Sequence, residues 1–160
     1  MMRSDLIRFG RGFVYAWNGI CAAVREERNF RFHLCAAFFV GAAAVLAELS
    51  AVETALLTIC VFSVMALELV NSAVERAVDK PDTTHWWTAG AAKDMAAGAV
   101  LVAAAGSVVV AVCIFGTAGR PALLWSKLTQ NPLRLIFLSG IAAAAVLFIF
   151  RTPNQQQKGK

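Results

Sequence analysis

The sequence predicts an all-α membrane protein with an N-terminal amphipathic surface helix, three core transmembrane helices and an extra fourth transmembrane helix near the C-terminus. Two observations predict this class. The 160 residues are 59% hydrophobic and only 16% charged, whereas soluble domains average about 25% charged residues. The uncharged residues also form four runs of 16, 14, 25 and 16 residues. A transmembrane helix needs about 20 residues. Every run except the third must therefore include flanking residues to span the membrane.

Each element has its own local signal. Residues 3–28 carry apolar and aromatic side chains three or four positions apart, which is typical of an amphipathic helix at a membrane surface. The uncharged runs predict spans at about 30–47, 52–79, 91–116 and 135–150, with residues 1–117 as the core. Glycine and proline at Gly119, Pro121 and Pro132 predict a connecting loop over residues 118–134, and polar residues 151–160 predict a disordered tail.

The net charge of +5 is distributed by loop. With four spans, 12 of the 15 Lys and Arg residues fall on one side of the membrane, and Arg120, Lys127 and Arg134 fall on the other. Positive loops stay in the cytoplasm, so the pattern predicts a multi-pass protein with both termini cytoplasmic. The basic charge is therefore interpreted as a topology signal, and no nucleic-acid partner is predicted.

One stripe of polar residues interrupts the second span. Glu68, Asn71, Ser72, Glu75 and Asp79 are spaced three, four, seven and eleven positions from the first, so they share one helix face. A carboxylate inside a span costs roughly 2.5–3.5 kcal/mol and is a functional candidate by default. Glu68 is about 16 Å along the helix from Asp79, which predicts that it lies at the lipid boundary while Glu75 and Asp79 reach water.

These residues suit phosphoryl transfer to a lipid. Mg²⁺ is usually held by one or two carboxylates together with nucleotide phosphates, and Glu75 with Glu27 could supply them. Lys93 and Arg8 could contact the phosphates, and Asp94 could orient Lys93 or contact a ribose hydroxyl. A P-loop and a protein-kinase signature are both absent from the sequence, so a kinase here would be of another kind.

A small proton-coupled exporter is the alternative from a different class. Such a protein also has four short spans and one carboxylate within the membrane. That hypothesis explains Glu68, but it does not explain why further acidic residues, an amide and Lys93 gather at one end of the spans. It also predicts no dependence on magnesium or ATP.

Three stretches resemble the small integral-membrane lipid kinases of bacteria, namely the prokaryotic diacylglycerol kinases and their relatives that phosphorylate undecaprenol. Residues 68–75 read Glu-Leu-Val-Asn-Ser-Ala-Val-Glu, which is similar to the family signature Glu-x-x-Asn-Ser/Thr-Ala-x-Glu. Residues 92–100 begin Ala-Lys-Asp, similar to a second family block. Residues 27–33 read Glu-Arg-Asn-Phe-Arg-Phe-His, which resembles the undecaprenol-specific members.

The resemblance implies roles for individual residues. Glu68 would be the general base and Asn71 would position groups around it, while Glu27 and Glu75 would hold Mg²⁺. Together with Asp79 at the end of the stripe, the expected contacts to ATP are Arg8, Tyr15, Glu27, Glu75, His85, Trp86, Lys93 and Asp94. The family also implies a homotrimer in the bacterial inner membrane, with active sites between subunits. The expected reaction is phosphorylation of undecaprenol to undecaprenyl phosphate, or alternatively of diacylglycerol to phosphatidic acid.

Overall fold

The computed structural model describes residues 2–79 and 87–151 and confirms the all-α class. Six helices follow one another in these ranges: α1 (Met2–Glu26), α2 (Arg28–Leu46), α3 (Ala51–Val78), α4 (Trp87–Phe115), α5 (Arg120–Thr129) and α6 (Pro132–Ile149). The described residues contain no strand. Four of the helices, α2, α3, α4 and α6, are long and apolar enough to cross a membrane.

Helix α1 has the character of a surface helix. It exposes Phe9, Phe13, Tyr15 and Trp17, each by more than 60%, and the rings of Phe9 and Phe13 meet edge to face with centroids 5.2 Å apart. Aromatic side chains of this kind favour the boundary between lipid and water. A single extended residue, Glu27, separates α1 from α2.

The helices α2 and α3 are joined by a tight turn over residues 47–50. Glu48 adopts a left-handed conformation with φ of 53°. Ser50 then caps α3, because its hydroxyl accepts the Glu53 N–H while the Glu53 carboxylate accepts the Ser50 N–H. This capping box satisfies two backbone donors that the first turn of a helix otherwise leaves without partners.

The segment predicted as a loop, residues 118–134, instead contains α5. Residues 116–119 separate α4 from α5. Gly119, with φ of 87°, is the N-cap of α5, and Pro121 lies in its first turn. Asn131 caps α6 by accepting the N–H groups of Leu133 and Arg134, and Pro132 occupies its first turn. Proline suits the first turn of a helix because its N–H would have no partner there. The prolines that suggested a loop therefore begin two helices.

The packing defines two ends of the bundle. The most extensive contact is between α3 and α4, followed by α2 with α3, and α6 packs against α2. The corner end contains the α1–α2 junction, the last turn of α3, the first turns of α4 and the last turn of α6. The turn end contains residues 47–50 and α5. Residues 151–160, predicted as a disordered tail, lie outside the described residues except for Arg151.

Candidate functional site

The candidate site is built around Glu68 near the corner end of α3. Its side chain is only 3% exposed, and Asn71 and Ser72 on the same face are 5% and 6% exposed. They are buried because this face of α3 is turned toward the neighbouring helices, as the spacing of three and four residues dictates. The first three members of the predicted stripe therefore lie inside the protein.

Two further carboxylates lie close enough to act on that of Glu68. Glu75 and Glu27 both act electrostatically on the Glu68 carboxylate, and the Asn29 side chain lies beside it. Glu75 is two turns further along α3. Glu27 and Asn29 lie at the α1–α2 junction. The change in chain direction there places them next to α3. Residues separated by about 40 positions in the sequence thus meet at one corner.

The Asn71 side chain connects two members of this cluster. Its Nδ2 donates a hydrogen bond to Glu75 Oε1 over 3.0 Å. Its Oδ1 is buried, and no donor within the described part of the chain reaches it. A buried polar atom without a partner is uncommon in a folded protein. The oxygen atoms around Asn71 and Glu75 therefore leave acceptor capacity for a cation or a substrate hydroxyl.

Two cations, Arg76 and Lys93, form three ion pairs at the border of the cluster. Arg76 Nη2 lies 2.9 Å from Glu27 Oε1 and 3.1 Å from Glu26 Oε2. Lys93, near the start of α4, donates to Asp79 at the end of α3, with Nζ to Oδ1 at 2.8 Å. Asp79 is 63% exposed and Lys93 is 35% exposed. Exposed pairs of this kind contribute little to stability, so Lys93 could exchange its carboxylate partner for a phosphate.

Three other predicted site residues are exposed. Asp94 is exposed on α4, and Arg8 and Tyr15 are exposed along α1. Tyr15 precedes Glu27 by 12 residues, which corresponds to roughly 18 Å of helix. His85 and Trp86 lie outside the described residues. The structure thus brings together Glu27, Glu68, Asn71, Glu75, Asp79 and Lys93.

Sequence reasoning missed two residues at this corner, Asn29 and Arg76. Asn29 lies within the stretch of residues 27–33 that resembles the undecaprenol-specific enzymes, and that position was the available signal. Arg76 follows Glu75 directly, but its pairing with Glu27 joins residues 49 positions apart. That pairing depends on how α1 is placed against α3, which local patterns do not encode.

The carboxylates at this site fit a magnesium ion whose remaining coordination positions are filled by a nucleotide. Within the described residues, no group of three His, Cys, Asp or Glu side chains closes around a metal position. Glu27 and Glu75 instead offer two carboxylates. Mg²⁺ commonly takes one or two carboxylates and fills its remaining positions with phosphate oxygens and water. An incomplete protein ligand set is what such a site requires.

Comparisons with known proteins identify the family of the chain. The family model for prokaryotic diacylglycerol kinase matches residues 14–115. The chain is 42% identical to an undecaprenol kinase of Bacillus subtilis over 113 residues, which cover 71% of this chain and 92% of that protein. It is 43% identical to a diacylglycerol kinase of Synechocystis over 103 residues, covering 64% and 59% of the two chains.

A diacylglycerol kinase of Escherichia coli is 36% identical over 112 residues, covering 70% of this chain and 84% of that protein. No solved structure matches the chain significantly. The family match ends at residue 115, so α5 and α6 lie beyond it. The predicted resemblance is confirmed, and a lipid kinase is favoured over an exporter. The chain belongs to the prokaryotic diacylglycerol kinase family and is a multi-pass membrane lipid kinase that uses ATP as its phosphate donor.

Proposed function

We propose that the protein transfers the terminal phosphate of ATP to undecaprenol in a reaction that requires Mg²⁺, giving undecaprenyl phosphate. Two observations support this lipid over others. Residues 27–33 resemble the undecaprenol-specific enzymes, and the undecaprenol kinase of Bacillus subtilis is covered over 92% of its length. Diacylglycerol is the second candidate substrate, because the Synechocystis diacylglycerol kinase is similarly identical, at 43%.

The observation that carries the proposal is the burial of Glu68 beside Glu27, Glu75 and Asn29 at one end of a membrane span. A lipid alcohol has its hydroxyl at the membrane boundary, whereas ATP approaches from water. Glu68 lies within α3, and Asp79 and Lys93 lie at its aqueous end. One end of the bundle can therefore contact both substrates.

The chain's own residues have separable tasks in this mechanism. Glu68 accepts the proton of the lipid hydroxyl. At the same time, the hydroxyl oxygen of the lipid forms a bond to the terminal phosphorus of ATP. The bond between that phosphorus and the bridging oxygen breaks, and ADP leaves. Asn71 orients the acceptor around Glu68. Because the transition state of phosphoryl transfer is loose, positioning and charge neutralisation supply most of the catalysis.

Binding of ATP uses the residues around this base. Glu27 and Glu75 would hold Mg²⁺, which when bound neutralises charge on the phosphates. Lys93 would leave Asp79 and contact a phosphate of ATP. Asp79 and Asp94 would lie beside the nucleotide. Four further contacts are proposed from the family resemblance, namely Arg8, Tyr15, His85 and Trp86.

We also propose that both termini lie in the cytoplasm and that the membrane is the bacterial inner membrane. The basic residues on the opposite side are the apparent exception to this orientation. However, Arg120 pairs with Glu53 at 2.7 Å and Lys127 pairs with Glu48. Three Lys and Arg residues lie at the turn end, compared with twelve on the other side. The positive-inside rule depends on the number of Lys and Arg residues on each side, and this count favours cytoplasmic termini.

The proposed assembly is a homotrimer with active sites between subunits. Within one chain, Arg8 and Tyr15 extend along α1 away from Glu27, so a nucleotide bound at the corner end would meet them most easily from a neighbouring chain. On α4, a side chain at Gly98 or Gly106 would point into open space. Such positions allow another helix to approach closely. Crosslinking in mild detergent should give a ladder that stops at three chains, and one that stops at two would contradict the trimer.

Transfer of labelled phosphate in mixed micelles tests the reaction. Purified protein receives labelled ATP with undecaprenol, with diacylglycerol or with both, in the presence and absence of magnesium. The proposal predicts labelled undecaprenyl phosphate as the preferred product when both lipids compete, and only with magnesium. Preference for diacylglycerol would reassign the substrate, and folded protein that labels neither lipid would contradict the function.

A further inference from the structure

Arg31 is a buried cation that binds the ends of two helices. Its side chain lies one turn into α2, and the residue is only 3% exposed. Nη1 donates to the carbonyl oxygens of Val24 at 3.3 Å and Arg25 at 3.0 Å, near the end of α1. Nε and Nη2 donate to the carbonyl of Ile149 at 3.3 and 3.0 Å, and Nη2 also donates to that of Arg151 at 3.1 Å.

These bonds explain how a charge can be buried there. The last carbonyl groups of a helix have no partner within it, and they carry the negative end of the helix dipole. A guanidinium group offers five donors in a planar fork. Arg31 uses all three of its nitrogen atoms on these carbonyls. The contact satisfies both helix ends and compensates the cost of removing the charge from water.

On one side, this contact fixes the α1–α2 junction, which carries Glu27 and Asn29 of the proposed site. Glu27 lies between Arg25 and Arg31, and its carbonyl accepts the Arg31 N–H at 3.2 Å. Phe30, the preceding residue, is 1% exposed. The side chain of Arg31 binds the end of α1 while its backbone binds Glu27. Movement of Arg31 would therefore displace Glu27 and Asn29 relative to Glu68.

The other side of the contact is α6, which lies beyond the segment shared with the family. Helix α6 packs on α2 across a groove of about 300 Å³ lined in part by Cys35, Phe39 and Phe148. Arg28 reaches the ring of Phe150, with 5.9 Å from its guanidinium carbon to the ring centroid. The C-terminal end of α6 is thus fixed to the same junction that carries Glu27.

We propose that Arg31 is a positioning residue that couples α6 to the site by holding the end of α6 and the α1–α2 junction together. This role rests on the proposed function only in the assignment of Glu27 as a magnesium ligand. The added helix then supports the geometry of the catalytic corner as well as crossing the membrane.

Kinetics of the full-length enzyme test the role in the site. In Arg31→Met, the apparent affinity for Mg²⁺ should fall by about 10-fold, as is typical when the support of a metal ligand is lost. The turnover number at saturating Mg²⁺ should change much less. Arg31→Lys keeps the charge but reaches fewer carbonyls, so its affinity should lie in between. Arg25→Met removes the same charge from the same corner and should match the wild type.

Alkylation of Cys35 tests the contact with α6 independently of catalysis. In full-length protein with Cys21, Cys60 and Cys113 replaced by alanine, N-ethylmaleimide should modify Cys35 several times faster in Arg31→Met than in Arg25→Met, because the α2–α6 groove opens. Faster alkylation with unchanged Mg²⁺ dependence in both Arg31→Met and Glu27→Gln would contradict the metal assignment but support the contact. Wild-type alkylation and wild-type Mg²⁺ affinity in Arg31→Met and Arg31→Lys would overturn the proposal.

Discussion

The two ends of the bundle use similar charged residues but balance them differently. At the turn end, Glu53 pairs with Arg120 and Glu48 pairs with Lys127, so both carboxylates of that end face a cation. Arg134 also donates to the carbonyl of Lys127. At the corner end, the charged groups that act on Glu68 are Glu75 and Glu27, which are also acidic.

The difference shows that the charges have different roles at the two ends: they connect helices at the turn end, and they form the proposed binding site at the corner end. Where acids and bases match, the charges fasten α5 to the α2–α3 turn. At the corner end, Glu27 pairs with Arg76, but Glu68 and Glu75 have no ion-pair partner among the described residues. They lie beside the Asn71 oxygen, which no donor in that part of the chain reaches, so these oxygen atoms can receive a cation. Bound Mg²⁺ would supply positive charge beside these carboxylates.

The largest effect is expected for Glu68→Gln. The amide is similar in size but cannot accept the proton of the lipid hydroxyl, and a general base typically contributes about 10²–10⁴-fold to the rate. Transfer of labelled phosphate should fall by at least about 100-fold, while binding of Mg-ATP measured by calorimetry stays close to the wild type. Wild-type turnover in this variant would exclude Glu68 as the base.

The next effect is expected for Glu75→Gln. This change keeps a hydrogen bond to Asn71 possible but removes one proposed magnesium ligand. The Mg²⁺ concentration that gives half-maximal transfer should rise by at least about 10-fold, since the loss of an outer-shell partner alone typically costs 10–100-fold in metal affinity. An unchanged magnesium titration would show that Glu75 is not a ligand.

The two lysine–carboxylate pairs offer a matched comparison. Lys93–Asp79 at the corner end and Lys127–Glu48 at the turn end have the same side-chain exposures, 35% and 63%. Lys93→Met should raise the KM for ATP about 10-fold, because a hydrogen bond to a charged group is worth roughly 1.5–3 kcal/mol. Lys127→Met should leave the KM unchanged. Equal KM values in the two variants would remove Lys93 from the nucleotide site.

The smallest effect concerns pH and the turn end. The Lys127 ammonium donates a hydrogen bond to Glu48 and lowers the pKa of that carboxyl below its ordinary value of 4.5. Folding therefore favours the ionised form, so this stabilisation is present above about pH 4.5 and is lost as the pH falls through the lowered pKa. Thermal unfolding should show a slightly weaker loss of stability on acidification in Glu48→Gln. A steeper loss would contradict the pairing.

The sequence predicts the helix that carries the site better than it predicts the site's surroundings. Glu68, Asn71 and Glu75 lie on one face because helical spacing alone determines it. The placement of Glu27 against them depends on the α1–α2 junction, so the residues alone offered it as a possible ligand and the family resemblance supplied the role. The pairing of Arg120 and Lys127 with acids more than 60 positions away depends on how the helices pack. Local patterns do not contain that information.

The helix α5 shows a different limit. Pro121 and Pro132 are typical of loops, but they are also typical of the first turn of a helix. Whether each proline lies in a loop or at the start of a helix depends on the residues that precede it. Gly119 adopts a left-handed conformation and Asn131 caps the following helix, and both give the prolines their place at helix starts.

The most direct test compares two glutamates of the same helix, Glu68 and Glu53, which lie 15 residues or roughly 22 Å apart on α3. Phosphate transfer from labelled ATP is measured for Glu68→Gln and Glu53→Gln in identical micelles, with folding checked by circular dichroism. If catalysis takes place at the corner end, Glu68→Gln loses transfer and Glu53→Gln retains it. Retained transfer in folded Glu68→Gln, or loss of transfer in folded Glu53→Gln, would contradict the assignment of catalysis to the corner end.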